Sequence, residues 1–144
     1  MEKRQPPVVL IVDDEENILR SLRRLLRGEP FQTIATTDPY EALSCVQTAP
    51  VAVLVTDQRM PELDGDHLIA RVKAVDARIV CIRLTGYPDP RSPEPPREAV
   101  FRTIEKPWED EEITSAVREA LELYERTTAT AAAPAPPEPA PTNS

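Results

Sequence analysis

Val51-Ala-Val-Leu-Val-Thr-Asp57 is a short, β-branched apolar run that stops at a carboxylate. Bounded by Pro50 and by the Gln58-Arg-Met-Pro61 break, it predicts a strand buried on both faces, which means a central strand of a parallel sheet. Its acid then falls at the carboxyl edge, where open α/β sheets place ligands and reacting groups. Taken alone, Asp57 reads first as a strand-terminating turn residue, because Asp is common in turns.

A second run of the same kind changes that balance. Val8-Val-Leu-Ile-Val12 also ends in acid, the pair Asp13-Asp14. Two strands delivering carboxylates to one sheet edge bring three acids together, and such a cluster repels itself unless a cation sits in it. Hard oxygen ligands suit Mg2+. Two further strand ends add a hydroxyl and an ammonium: Ile79-Val-Cys-Ile-Arg-Leu84 runs into Thr85-Gly86, and Val100-Phe-Arg-Thr-Ile104 runs into Glu105-Lys106-Pro107. A carboxylate nucleophile, Mg2+, a hydroxyl and a lysine are the parts needed to receive a phosphoryl group, a transfer catalysed by positioning and charge neutralisation.

With 144 residues and 40% hydrophobic content, the chain can bury one ordinary core. A formal net charge of −8 argues against direct nucleic-acid binding, which uses a basic face. Cys45 and Cys81 make no disulfide framework and read as small buried thiols. No apolar run fits a signal peptide or a bilayer span, so no membrane association and a cytoplasmic location are expected.

Between the strands, Glu15 to Arg27 puts Ile18, Leu19, Leu22, Leu25 and Leu26 at helical spacing, with Gly28 as the expected C-cap. Its Arg20, Arg23, Arg24 and Arg27 form either a plain solvated face or a docking surface for an acidic partner. Phe31 to Thr36 alternates and is the most polar strand, hence an edge. Asp38-Pro-Tyr-Glu41 starts a second helix with Asp as N-cap and Glu three residues on. Leu68, Ile69, Val72 and Val75 mark a third, on which the lone His67 is expected to be exposed. Tyr87 to Pro96 breaks the pattern: a proline inside a helix costs about 3 kcal/mol, so the fourth helix of the repeat is expected to be short or irregular. Ile113, Ala116, Val117, Ala120, Leu121 and Tyr124 form the stripe of a final helix behind an acidic first turn. The domain is expected to span 1–126, and the Ala/Pro-rich 127–144 to be a disordered tail or linker. Strands alternating with crossover helices predict an α/β, flavodoxin-like, doubly wound five-stranded parallel sheet of order 2-1-3-4-5.

The chain resembles the receiver domains of two-component response regulators from Val8 to about Arg126. The resemblance rests on Asp13-Asp14, on Asp57 with Met60-Pro61 and Asp64-Gly65, on Thr85-Gly86 and on Lys106-Pro107, in that order at successive strand ends. It implies that Asp57 accepts a phosphoryl group from the phosphohistidine of a sensor kinase or phosphotransfer protein, or from a small phosphodonor. Asp13, Asp14, Asp57 and the backbone carbonyl of Arg59 would hold Mg2+, while Thr85 and Lys106 bind the phosphoryl oxygens. Catalysis would be limited to self-phosphorylation and autodephosphorylation of Asp57, so the protein would not be an enzyme. The resemblance places kinase docking on the first helix near Ile18, Leu19 and Leu22. It allows a fused or separate effector domain and a homodimer, and Lys106-Pro107 is often cis in such domains.

Two departures stand out. The position three before the lysine, aromatic in most relatives, is Thr103, for which Phe101 or Tyr87 could substitute. The proline-rich 87–96 stands where relatives have a helix of the output face. An alternative reading is therefore a receiver fold that works without phosphorylation, binding partners through that segment. A Mg2+-dependent phosphatase acting through an aspartyl phosphate is the third reading; such enzymes more often carry the nucleophile after the first strand.

Overall fold

The computed structural model describes residues 6–86 and 99–132. Five strands, β1 (Val8–Val12), β2 (Gln32–Thr36), β3 (Val51–Asp57), β4 (Val80–Thr85) and β5 (Arg102–Glu105), alternate with helices α1 (Glu16–Leu25), α2 (Pro39–Thr48) and α3 (Gly65–Val75) up to β4. Helix α4 (Asp110–Ala132) follows β5. All four strand pairings are parallel and the order is β2-β1-β3-β4-β5, the flavodoxin-like arrangement expected from the sequence. Both central strands, β1 and β3, are buried along their whole length, which is why they read as continuous apolar runs rather than alternating ones.

Alternation along the strands divides the core in two. Val9, Ile11, Val53, Val55, Ile82 and Leu84 pack with α1 and α4, whereas Val8, Leu10, Val12, Leu54, Ile79 and Cys81 pack with α2 and α3. Each fully buried Leu or Ile contributes about 1.5–3 kcal/mol relative to exposure. Cys81 is buried in the second cluster, and burial pushes its thiol up to about 12, which makes it an inert packing group. Met60 and Leu63, in the loop after β3, plug the second cluster from the carboxyl end of the sheet.

Asp38 caps α2 as its sequence predicts, accepting from the Tyr40 N–H at 2.9 Å. Glu41 does not reach back in a capping box; it pairs with the Thr36 hydroxyl, and Thr36 Oγ1 accepts the Asp38 N–H at 3.0 Å. Asp64 caps α3, accepting from the backbone N–H of the exposed His67 and contacting its Nδ1.

Several expectations are corrected. Helix α1 ends at Leu25 with Leu26 as its cap, and Gly28 has no positive φ, so no left-handed glycine closes it. Leu19 and Leu22 are 7% and 1% exposed: they are core residues, because the stripe that carries them must face the sheet, and only half-buried Ile18 of the three expected docking residues meets solvent. Helix α4 continues past Arg126 to Ala132, since alanine is the strongest helix former. The remainder of the tail, 133–144, and the proline-rich 87–96 lie outside the described residues. Among the described residues, no helix is long and apolar enough to cross a membrane.

Candidate functional site

The carboxyl ends of β1 and β3 are in register side by side, Val12 opposite Thr56, so the residues that follow each strand share one patch of sheet edge. Asp13 is fully buried there, Asp57 is 6% exposed, and Asp14 is open to solvent. Each of the three offers a carboxylate oxygen, and these oxygens all lie within 4.8 Å of one another. Opposite them, Lys106 Nζ donates to Asp13 Oδ2 and to Asp57 Oδ1, both at 3.2 Å. The lysine arrives there because β5 ends one residue earlier, and the cis Lys106-Pro107 peptide follows. Thr85, 8% exposed, comes directly after Leu84, the residue in register with Asp57, and its carbonyl accepts the Lys106 N–H at 2.8 Å. Arg59 is exposed in the loop two residues beyond Asp57.

This crowding shows in the acidities. Burial, opposed by the Glu15 N–H bond, raised further by Asp57 and lowered again by Lys106, pushes Asp13 up to about 6. Burial also raises Asp57, with Lys106 opposing and Asp14 assisting. For Lys106 burial works downward, but Asp13 and Asp57 together hold it above the ordinary lysine value. The pocket is thus rich in buried negative charge that one ammonium only partly offsets. Three clustered hard oxygen donors, one open to solvent, fit Mg2+, which takes one or two carboxylates and keeps several waters.

The matching profile for the response regulator receiver domain covers residues 9–118 of the chain. The chain belongs to the receiver domain family. Similar proteins include the hydrogenase transcriptional regulatory protein HoxA of Cupriavidus necator, 34% identical over 116 residues that cover 79% of this chain and 24% of that protein. Sporulation initiation phosphotransferase F of Bacillus subtilis is 29% identical over 80% of this chain and 94% of its own length. The signal receiver domain of an HD domain-containing protein from Pseudomonas fluorescens superposes with a TM-score of 0.76 at 30% identity, covering 85% of this chain and 99% of that one. The chain spans about a quarter of the length of the transcriptional regulators it matches first.

One group beside this receiver's acidic pocket was missed in the sequence. Gln58 Nε2 donates to Asp66 Oδ2 at 3.1 Å, the Asp66 N–H donates to Gln58 Oε1 at 3.0 Å, and Arg83 donates to Asp66 Oδ1 at 2.9 Å. Together they tie the residue after Asp57 to the first turn of α3 and to β4. The available signal was Arg83 itself, a cation in an otherwise apolar strand, which needs a buried acid as partner. Arg83→Ala is expected to destabilise the domain by about 1–3 kcal/mol, because Asp66 keeps a half-buried charge with one partner fewer. Urea unfolding measures this, and an unchanged midpoint would contradict it.

Proposed function

We propose that this receiver domain is a phosphoacceptor switch of a two-component pathway, working in the cytoplasm. An Asp57 carboxylate oxygen attacks the phosphorus of a kinase phosphohistidine. The new P–O bond forms as the P–N bond breaks, and its electron pair returns to the imidazole nitrogen. Water later cleaves the acyl phosphate, giving back the carboxylate and inorganic phosphate. Mg2+, held by Asp13, Asp14, Asp57 and the Arg59 carbonyl, would supply neutralising positive charge to the phosphoryl oxygens. Lys106 turns its ammonium from Asp57 to a phosphoryl oxygen, and Thr85 donates its hydroxyl hydrogen to another. Because the acyl phosphate replaces a carboxylate that is already charged, the site gains roughly one negative charge, now spread over phosphoryl oxygens that draw these two groups in and change the surface seen by an effector, fused or separate. Residues 1–126 would form this switch, with 127–144 as a tail or linker.

The observation that carries this reading is the single ammonium poised 3.2 Å from both Asp13 and Asp57 on adjacent strand ends. Incubation with Mg2+ and acetyl phosphate or beryllofluoride tests it. The expected result is one adduct per chain, mapped to Asp57, with a change in the fluorescence of half-buried Trp108 next to Pro107. No adduct, or multiple turnover of phosphomonoesters, would sink it.

A sensor kinase or phosphotransfer protein would dock against the exposed side of α1 around Ile18. Ile18→Asp is expected to slow transfer from the cognate kinase by roughly tenfold, the equivalent of about 1.4 kcal/mol of docking energy, while labelling by acetyl phosphate stays nearly unchanged. Equal slowing with both donors would reject that surface.

A further inference from the structure

At 100° per residue, α1 has two flanks beside its buried Leu19–Leu22–Leu26 stripe. Ile18 and Leu25 lie on one, packed into the cluster shared with α4. Arg20, Arg23 and Arg27 lie on the other, with Arg24 just beyond, over β2. The space between that flank and β2 is a groove of about 860 Å³, floored by Phe31 and Ala35. All four arginines are exposed, and among the described residues none has an ion pair or a side-chain hydrogen bond. Arg78, Arg102 and Arg118, by contrast, each pair with an acid. Four of the 17 basic residues are thus left unpaired on one strip of a chain of net charge −8.

The strand beneath is also unfinished. Among the described residues β2 pairs with β1 alone, so its outer edge is a row of backbone groups without a sheet partner there. Edge strands are commonly guarded by charges, prolines or bulges. The other edge, β5, follows that rule with Arg102 and Glu105. Gln32-Thr-Ile-Ala-Thr36 carries no charge, no proline and no bulge. Two copies pairing antiparallel through β2 would bring their arginine flanks face to face, so self-pairing is opposed electrostatically.

We propose that the α1–β2 groove binds an acidic, extended segment of a partner protein, which adds as a sixth strand on the free edge of β2. Backbone hydrogen bonds to β2 would hold the strand, and alternate side chains would point under α1. Acids on that face meet the arginines. Glu16 and Glu41 line the groove toward the carboxyl edge of the sheet and would disfavour an acid there, which orients the peptide.

The test uses the full chain and a fluorescent Val-Glu-Val-Glu-Val-Glu peptide, with a Val-Lys counterpart, a block Val-then-Glu isomer and a single-stranded oligonucleotide. The alternating acidic peptide should bind, slow amide exchange across Gln32–Thr36, and weaken with rising salt. Arg20→Glu with Arg24→Glu should reduce affinity about tenfold or more, and Ile18→Asp should leave it unchanged. If the reversed pair fails to fold, Arg20→Gln with Arg24→Gln should still reduce affinity severalfold. The proposal is overturned by absence of binding, by equal binding of the block isomer without protection of β2, by preference for the oligonucleotide, or by a β2-mediated dimer of the isolated chain.

Discussion

Asp13→Asn should make the metal-free domain more stable at neutral pH, by about 1–3 kcal/mol, while weakening Mg2+ binding at least about tenfold. Asp13 is fully buried and its carboxyl is pushed up to about 6 from 3.8. The native chain therefore holds this proton to higher pH than the unfolded chain does. Between those two values the folded state binds more protons, so stability falls as pH rises through that window. Ionised Asp13 is thus a cost at neutral pH, and asparagine removes it while leaving a polar group of the same shape. Below about pH 4 both states are protonated and the advantage of the variant should vanish. Urea unfolding at pH 4 and pH 7 without metal, beside a Mg2+ titration, checks the two opposed effects. A variant less stable than the parent at pH 7 would contradict the sign.

Gly65→Ala should cost about 2–3 kcal/mol and slow acetyl phosphate labelling, though glycine is not needed there for its φ. A Cβ at this first residue of α3 would stand 2.4 Å from the Asp57 carbonyl oxygen and 3.0 Å from Gln58 Cα. Neither is the free end of a flexible side chain, so α3 or the end of β3 must move, taking the candidate phosphoacceptor with it. Gly28 is the internal control. A Cβ there meets nothing within 4 Å, so Gly28→Ala should be neutral or stabilise by about 0.4–1 kcal/mol. Comparable destabilisation by both substitutions would show that backbone freedom, rather than close approach, sets the requirement at Gly65.

The sheet was legible because its signals are long-range consequences of burial: β1 and β3 have no polar alternation, and that alone marks them as central. The acids, threonine and lysine were legible because parallel topology sends every strand end to the same edge, so placement followed from order. What could not be read was rotation about α1. Five apolar residues at helical spacing do not say which face the sheet and which face a neighbouring helix, so Leu19 and Leu22 were expected at a docking surface. The Gln58–Asp66–Arg83 group was hidden for a related reason. Its members lie in a loop, a helix and a strand, and nothing local to any of them names the other two. At the end of α4, composition misled: alanine and threonine after Arg126 suggested loss of structure, but a helix already nucleated extends through alanines readily.

Electroneutrality in the pocket has a selectivity consequence. Among the described residues, Asp13, Asp14 and Asp57, once ionised, outweigh Lys106 by two elementary charges, and Asp13 and Asp57 are too enclosed for bulk salt to screen well. A monovalent ion would leave that surplus half uncompensated and a trivalent one would invert it. Divalent valence alone brings the sum to zero, so ion choice here begins with charge before size or coordination geometry enters.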